Sequence, residues 1–208
     1  MRTIMLFMAS LLFTVSANAA GVNLVVNGSF EDPDIATGSW SVHSAIDGWS
    51  TTGAGVEVRD NIAGTAYDGQ QFVELDSHRW PNNTNTNSSI HQTLNTIIGQ
   101  SYLLSFAYSA RINQPSTTNG ISVFWNGLEL DSVTATGGST HNWTIFEYLV
   151  TGIGNDLLTF SATGTNDSLG GSLDAVSVSA VPIPAAAFLF APALLGLLGL
   201  RRKTTIAS

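Results

Sequence analysis

Two carboxylates sit two residues apart in the run Phe72-Val73-Glu74-Leu75-Asp76-Ser77-His78. Strand alternation would turn Glu74 and Asp76 to one face and Leu75 to the other. Such a pair serves a glycosidase only if one acid of raised pKa lies in a cleft; on an open sheet face both are simply solvated. His78, Arg79 and Trp80 follow directly, and Arg111 ends an alternating run over 102–111, on the face opposite Leu104. Glu74, Asp76, His78, Trp80 and Arg111 together would offer a guanidinium fork, two carboxylates, an imidazole and an aromatic plane. Those are the groups a sugar-binding patch uses. The plainer alternative is a solvated face on which Arg111 pairs with an acid. The four histidines, at 43, 78, 91 and 141, have no metal-ligand spacing, and neither a Gly-x-Ser-x-Gly elbow nor a phosphate loop occurs. No catalytic residue is assigned.

The elements that must position these groups are strands. Between residues 21 and 180, short runs of Val, Ile, Phe, Tyr and Thr alternate and are separated by Gly, Asn, Asp and Ser, with no amphipathic helical period. In the clearest run Tyr102, Leu104, Phe106, Tyr108 and Ala110 share one face. Ile121, Val123 and Trp125 repeat the pattern before Asn126-Gly127, a hairpin turn from which 128–133 returns antiparallel. Further strands are expected over 24–26, 56–58, 72–75, 90–94, 143–150, 157–162 and 173–180. The polar stretch 81–89 buries too little to order itself and reads as an exposed loop. About ten short strands of this kind make an all-β, antiparallel two-sheet sandwich, of which we take the jelly roll. Trp49, Trp125 and Trp143 are expected in its core.

Charge narrows the partners. All fifteen Asp and Glu fall within 20–180, against three arginines there, a balance of −12. So acidic a body repels nucleic acid and anionic lipid. The chain has no cysteine, which removes disulfides, thiol catalysis and thiolate metal sites.

Both ends of the chain read as export devices. Arg2, an apolar run over 4–15 and Ala17-Asn18-Ala19 form a signal peptide, 1–19. At the other end, Val181-Pro182-Ile183-Pro184 leads into 183–200, eighteen residues without a charge and just long enough to span a bilayer. Arg201, Arg202 and Lys203 follow, holding that end in the cytoplasm and leaving the body outside, with 204–208 as a short tail. Pro-x-Pro, small residues, an apolar helix and a basic end in this order resemble the PEP-CTERM sorting signals of Gram-negative bacteria, with Ile183 in place of the name-giving Glu. The resemblance implies export across the inner membrane, transient anchoring there, cleavage by an exosortase-type sorting enzyme, and release to the cell surface or exopolysaccharide matrix. The alternative is a plain membrane anchor.

The body, 20–180, carries a second resemblance. Asn23-Leu24-Val25-Val26-Asn27-Gly28-Ser29-Phe30-Glu31, then Asp47-Gly48-Trp49, and finally Leu173-Asp174-Ala175-Val176 resemble the galactose-binding-like jelly rolls of carbohydrate-binding modules. That resemblance implies a structural Ca²⁺ where first and last strands meet, held by Glu31, Asp174 and a carbonyl near Gly28. Ala175 stands where many members have a second acid. It also implies a non-catalytic module for extracellular polysaccharide. The alternatives are a matrix protein with no sugar ligand and a glycan-active enzyme using Glu74 or Asp76.

Overall fold

The computed structural model describes residues 21–79 and 84–182, with the backbone alone at His78, Arg79 and 84–86. The expectations for residues 1–19, for Trp80, and for Ile183 onward, including Pro184, Arg201, Arg202 and Lys203, lie outside the described residues.

Residues 21–181 form one compact unit. Its strands are β1 (Trp40–His43), β2 (Ala45–Ile46), β3 (Trp49–Thr52), β4 (Val56–Asp60), β5 (Gln71–Glu74), β6 (Asp76–Arg79) and β7 (Thr84–Asn87). They continue with β8 (Ser89–Asn95), β9 (Ser101–Ser109), β10 (Gly120–Trp125), β11 (Leu128–Val133), β12 (Thr144–Thr151), β13 (Asn155–Thr163) and β14 (Ser172–Ala180). One sheet has the order β1-β4-β5-β14-β9-β12, the other β11-β10-β13-β8-β3-β2, and β6-β7 is a separate hairpin. All pairings are antiparallel. The expected two-sheet antiparallel sandwich is the observed fold.

Cross-strand partners share a face. Val58, Val73, Leu173 and Tyr108 make one inward row across the first sheet, and Leu104 pairs with Tyr148 and Val178 in another. The second sheet answers with Ile90, Val123 and Phe160. Phe106 meets Phe160 edge-on across the gap, ring centres 5.0 Å apart, and both are fully buried. Trp49 and Trp125 are core residues as expected, whereas Trp143 is half-buried on the outer side of the first sheet. At the β10–β11 turn Asn126 and Gly127 both have positive φ, 54° and 79°, the conformation that a two-residue hairpin of this twist requires.

Two sequence expectations fail locally. The run 24–26 is no strand: Asn23 makes an isolated bridge to Ser179, and Leu24 donates to the Val178 carbonyl. The stretch 81–89 is not all loop, because Thr84–Asn87 pairs with β6 and Ser89 opens β8, while Ser88 is buried. Backbone pairing to a preformed partner strand overrides the poor strand preference of Asn.

Candidate functional site

On the outer face of the first sheet the register sets two rows side by side. Trp40, Arg59 and Phe72 form one; Val42, Glu57, Glu74, Ser172 and Ser109 form the other. Loops lie over this face, and as a result Glu57, Arg59 and Glu74 are almost wholly buried despite facing away from the core. Arg59 Nη2 contacts Glu57 Oε1 and lies 3.3 Å from Glu74 Oε2. Arg111 Nη1 donates to both oxygens of Glu74, at 2.8 and 2.7 Å, and to the Ser168 carbonyl at 3.2 Å. The Gly170 N–H donates to Glu74 Oε1 at 3.0 Å, and Arg59 Nε has no hydrogen-bond partner.

Glu74, Asp76 and Arg111 are therefore brought together, as the sequence suggests, but not on an open face. The loop 164–171 closes over them. Asp76 is fully buried and its Oδ2 accepts from the Asp167 and Ser168 N–H groups, each at 2.9 Å. Both acids have structural partners, and neither is open to solvent, Glu74 being 1% exposed and Asp76 fully buried. His78 is placed by backbone alone, beside Asn85 in the hairpin.

Beside the charged cluster lies an aromatic group that the sequence reading does not assemble. His141 and Trp143 stand edge-on to Phe72, at 4.9 and 5.9 Å, and Tyr67 leans on Trp143 at 6.3 Å. The Trp143 indole N–H donates to the Thr65 carbonyl, and His141 Nδ1 lies 2.9 Å from the same oxygen, so the two rings pin the loop 61–70 to the sheet. Burial holds the His141 imidazole below its ordinary pKa. Tyr67 is 51% exposed, and at the sheet edge Trp40 is 50% exposed. Adjacent strands are about 4.8 Å apart, so Trp40 stands two strand spacings from Phe72. Two open aromatic planes thus flank the buried ion cluster. At the nearby end of the sandwich a cleft of about 120 Å³ is lined mainly by hydroxyl and glycine residues, among them Ser109, Thr134, Thr136, Gly137, Thr140 and Thr144.

The expected calcium ligands Glu31 and Asp174 both reach the loop that leads into β5. Glu31 Oε1 accepts from the Gln70 and Gln71 N–H groups at 2.9 and 2.8 Å. Asp174 Oδ2 accepts from Tyr67 and Asp68, its Oδ1 from Ala175, and the Gly28 carbonyl from Val176. A hard cation needs several oxygens converging on one point. Here Glu31 Oε1 and Asp174 Oδ2 face N–H donors of the loop leading into β5, and among the described residues no three acidic or histidine side chains converge on a metal position.

These buried acids give the protein a pH signature. Burial lifts Glu74 to about 8 against the pull of Arg59 and Arg111, lifts Asp174 to about 7, and raises Glu57 and Asp76 above the usual range. A carboxyl whose folded pKa exceeds its unfolded value, about 4, contributes stability that is complete below that value and lost as pH rises through the folded one. Calorimetry should find a melting temperature several degrees higher at pH 5 than at pH 8.5. The reverse order would contradict the burial of these groups.

No family model matches the chain. Two curated relatives are multifunctional-autoprocessing repeats-in-toxin proteins of Vibrio, 31% identical over 159 residues in V. vulnificus and 32% over 162 in V. cholerae serotype O1. Each match covers 74% of this chain, and the chain spans 3% of the length of those relatives. Among solved structures, a carbohydrate-binding module, TmCBM61 in complex with β-1,4-galactotriose, superposes with a TM-score of 0.51 at 18% identity, covering 77% of this chain and 99% of that one. The cleaved adhesin domain K1 of Lys-gingipain from Porphyromonas gingivalis W83 gives 0.52 at 15% identity, over 70% and 100%. The Stig cyclase Fisc from Fischerella sp. TAU gives 0.56 at 14%, over 79% and 99%. At these identities the likeness defines the fold: a β-sandwich that serves binding modules, adhesin domains and cyclases.

Proposed function

We propose that the body is a non-catalytic glycan-binding module of an exported protein that its C-terminal signal delivers to the cell surface or exopolysaccharide matrix. The observation that carries this reading is the pair of open aromatic planes, Trp40 and Tyr67 with Trp143, on either side of the Glu57-Arg59-Glu74-Arg111 cluster. Sugars stack their apolar faces on aromatic rings and take hydrogen bonds from fixed polar groups around them. The Arg111 side chain, 16% exposed, and the hydroxyl-lined cleft provide such groups. The buried salt links keep Arg59 and Arg111 rigid, which lowers the cost of ordering them on binding.

Affinity electrophoresis with the body, residues 21–181, tests the site. Trp40→Ala and Tyr67→Ala should each weaken retention by a retarding polysaccharide about tenfold, equivalent to about 1.4 kcal/mol, with the melting temperature unchanged. Retention that survives both changes would place binding elsewhere.

Sorting has its own test. Intact-mass analysis of protein recovered from cells should find a species lacking residues 1–19 and everything beyond the Pro182-Ile183-Pro184 motif. A mature species that still carries Arg201, Arg202 and Lys203 would reduce the tail to a plain anchor.

A further inference from the structure

One end of the sandwich is apolar and open. The β8–β9 loop presents Ile97 and Ile98, the β12–β13 loop Ile153, and the β10–β11 hairpin Leu128, each between 62% and 79% exposed. No charged residue belongs to the segments 96–100, 126–128 or 152–155. Isoleucines at loop tips bury nothing within the fold, where turns ordinarily carry polar residues.

The three loops are held as one rigid platform. Thr96 donates to the Gly154 carbonyl, Gly99 to Gly152, Gly152 to Gln100, and Asn126 to Leu157. Behind them Asp156, fully buried, accepts from Asn126 Nδ2, from the Ile153 N–H and from the Thr96 hydroxyl, so one carboxylate ties all three loops together. Burial pushes its pKa up, but these hydrogen bonds outweigh that and hold it below the usual range.

The chain leaves the body at this same end. Val181 donates to the Ser101 carbonyl, and its own carbonyl accepts from Gln100, the residue that closes the Ile97-Ile98 loop. Val22, 82% exposed, stands beside it, because Asn23 bridges to Ser179. In the sequence the uncharged run 183–200 begins two residues after Val181. Two residues span at most about 7 Å.

We infer that this apolar end is a membrane-seating surface: while the tail is in the bilayer, Ile97, Ile98, Leu128 and Ile153 enter the lipid interface beside it and hold the Pro182-Ile183-Pro184 motif at the membrane surface. The inference rests on reading 183–200 as membrane-inserted. The partner is the apolar interface itself and not an anionic headgroup, because the platform has no basic residue and the body is acidic. The opposite end, about 27 Å away along β9, would point outward with its cleft free.

The full chain has no cysteine, so a single environment-sensitive fluorophore can be placed at Ile98→Cys, at Ile153→Cys, or at Ser139→Cys on the far end. The labelled chains are reconstituted with phosphatidylcholine vesicles and followed by flotation, emission wavelength and iodide quenching. The expected result is flotation of all three, with blue-shifted emission and several-fold protection from iodide at 98 and 153 and neither change at 139. Flotation with position 98 as open to iodide as position 139 would overturn the seating while leaving the anchor standing. A chain that does not float would overturn the membrane reading of the tail, and the seating with it. Protection that follows protein concentration and not lipid would assign the surface to a second copy and overturn the proposal.

Discussion

Arg59→Ala should lower the melting temperature by roughly 10 °C or more. Arg59 is 5% exposed and lies against two acids that are buried more deeply still, Glu57 and Glu74. Without Arg59 the two buried carboxyls must either take up protons or stay charged without compensation, and breaking such a buried pair costs about 3–5 kcal/mol. For a domain of this size, 1 kcal/mol corresponds to about 2–4 °C. The loss is not that of the two ionic contacts taken singly, because Glu74 retains Arg111 and the Gly170 N–H. A cycle built from Arg59→Met, Glu74→Gln and their combination should therefore be strongly non-additive, with the double change costing less than the sum of the singles. Additive losses would mean that the two residues stand independently.

Phe106→Ala should be comparably severe, for a different reason. Phe106 is fully buried midway along β9 and stacks on Phe146 and Tyr148 of the neighbouring β12, at 5.6 and 6.1 Å, while its edge contact with Phe160 joins the two sheets. Truncation removes a ring and leaves a cavity that two regular sheets cannot close, at a cost of about 3–5 kcal/mol. Denaturant unfolding should show the midpoint falling with little change in slope. Ile98→Ala, by contrast, should lie within about 0.5 kcal/mol of the parent, as surface changes do. A mild Phe106→Ala would mean that the core is not organised around this contact.

The sheet core was readable in the sequence because the strands that form it alternate strictly. Tyr102, Leu104, Phe106 and Tyr108 announce β9, and Asn126-Gly127 announces the β10–β11 hairpin. The strands β1 and β3 were not readable: Trp40-Ser41-Val42-His43 and Trp49-Ser50-Thr51-Thr52 are half polar, and only their pairing with β4 and β8 makes them strands. At the site, Arg111 paired to an acid was one of the sequence alternatives, and the structure supplies that acid as Glu74. The other half of the cluster depends on strand order. Glu57 and Glu74 are seventeen positions apart and become neighbours because β4 pairs with β5. His141 and Trp143 reach Thr65 across more than seventy residues, a contact that no local pattern encodes. The Glu31 and Asp174 motifs meet at one place in the fold, where Glu31 Oε1 and Asp174 Oδ2 accept from backbone donors, and motif spacing does not show the direction of a lone pair.

Glycan recognition by the body is the central claim, and a glycan array with residues 21–181 tests it most directly. Neutral and acidic polysaccharide fragments should be presented together with Trp40→Ala and Tyr67→Ala as controls. The expected result is retention of a restricted set of glycans, intact after incubation and lost in both variants. Flat binding across the whole array would contradict it and leave a matrix protein without a sugar ligand, and release of shortened fragments would contradict the non-catalytic reading.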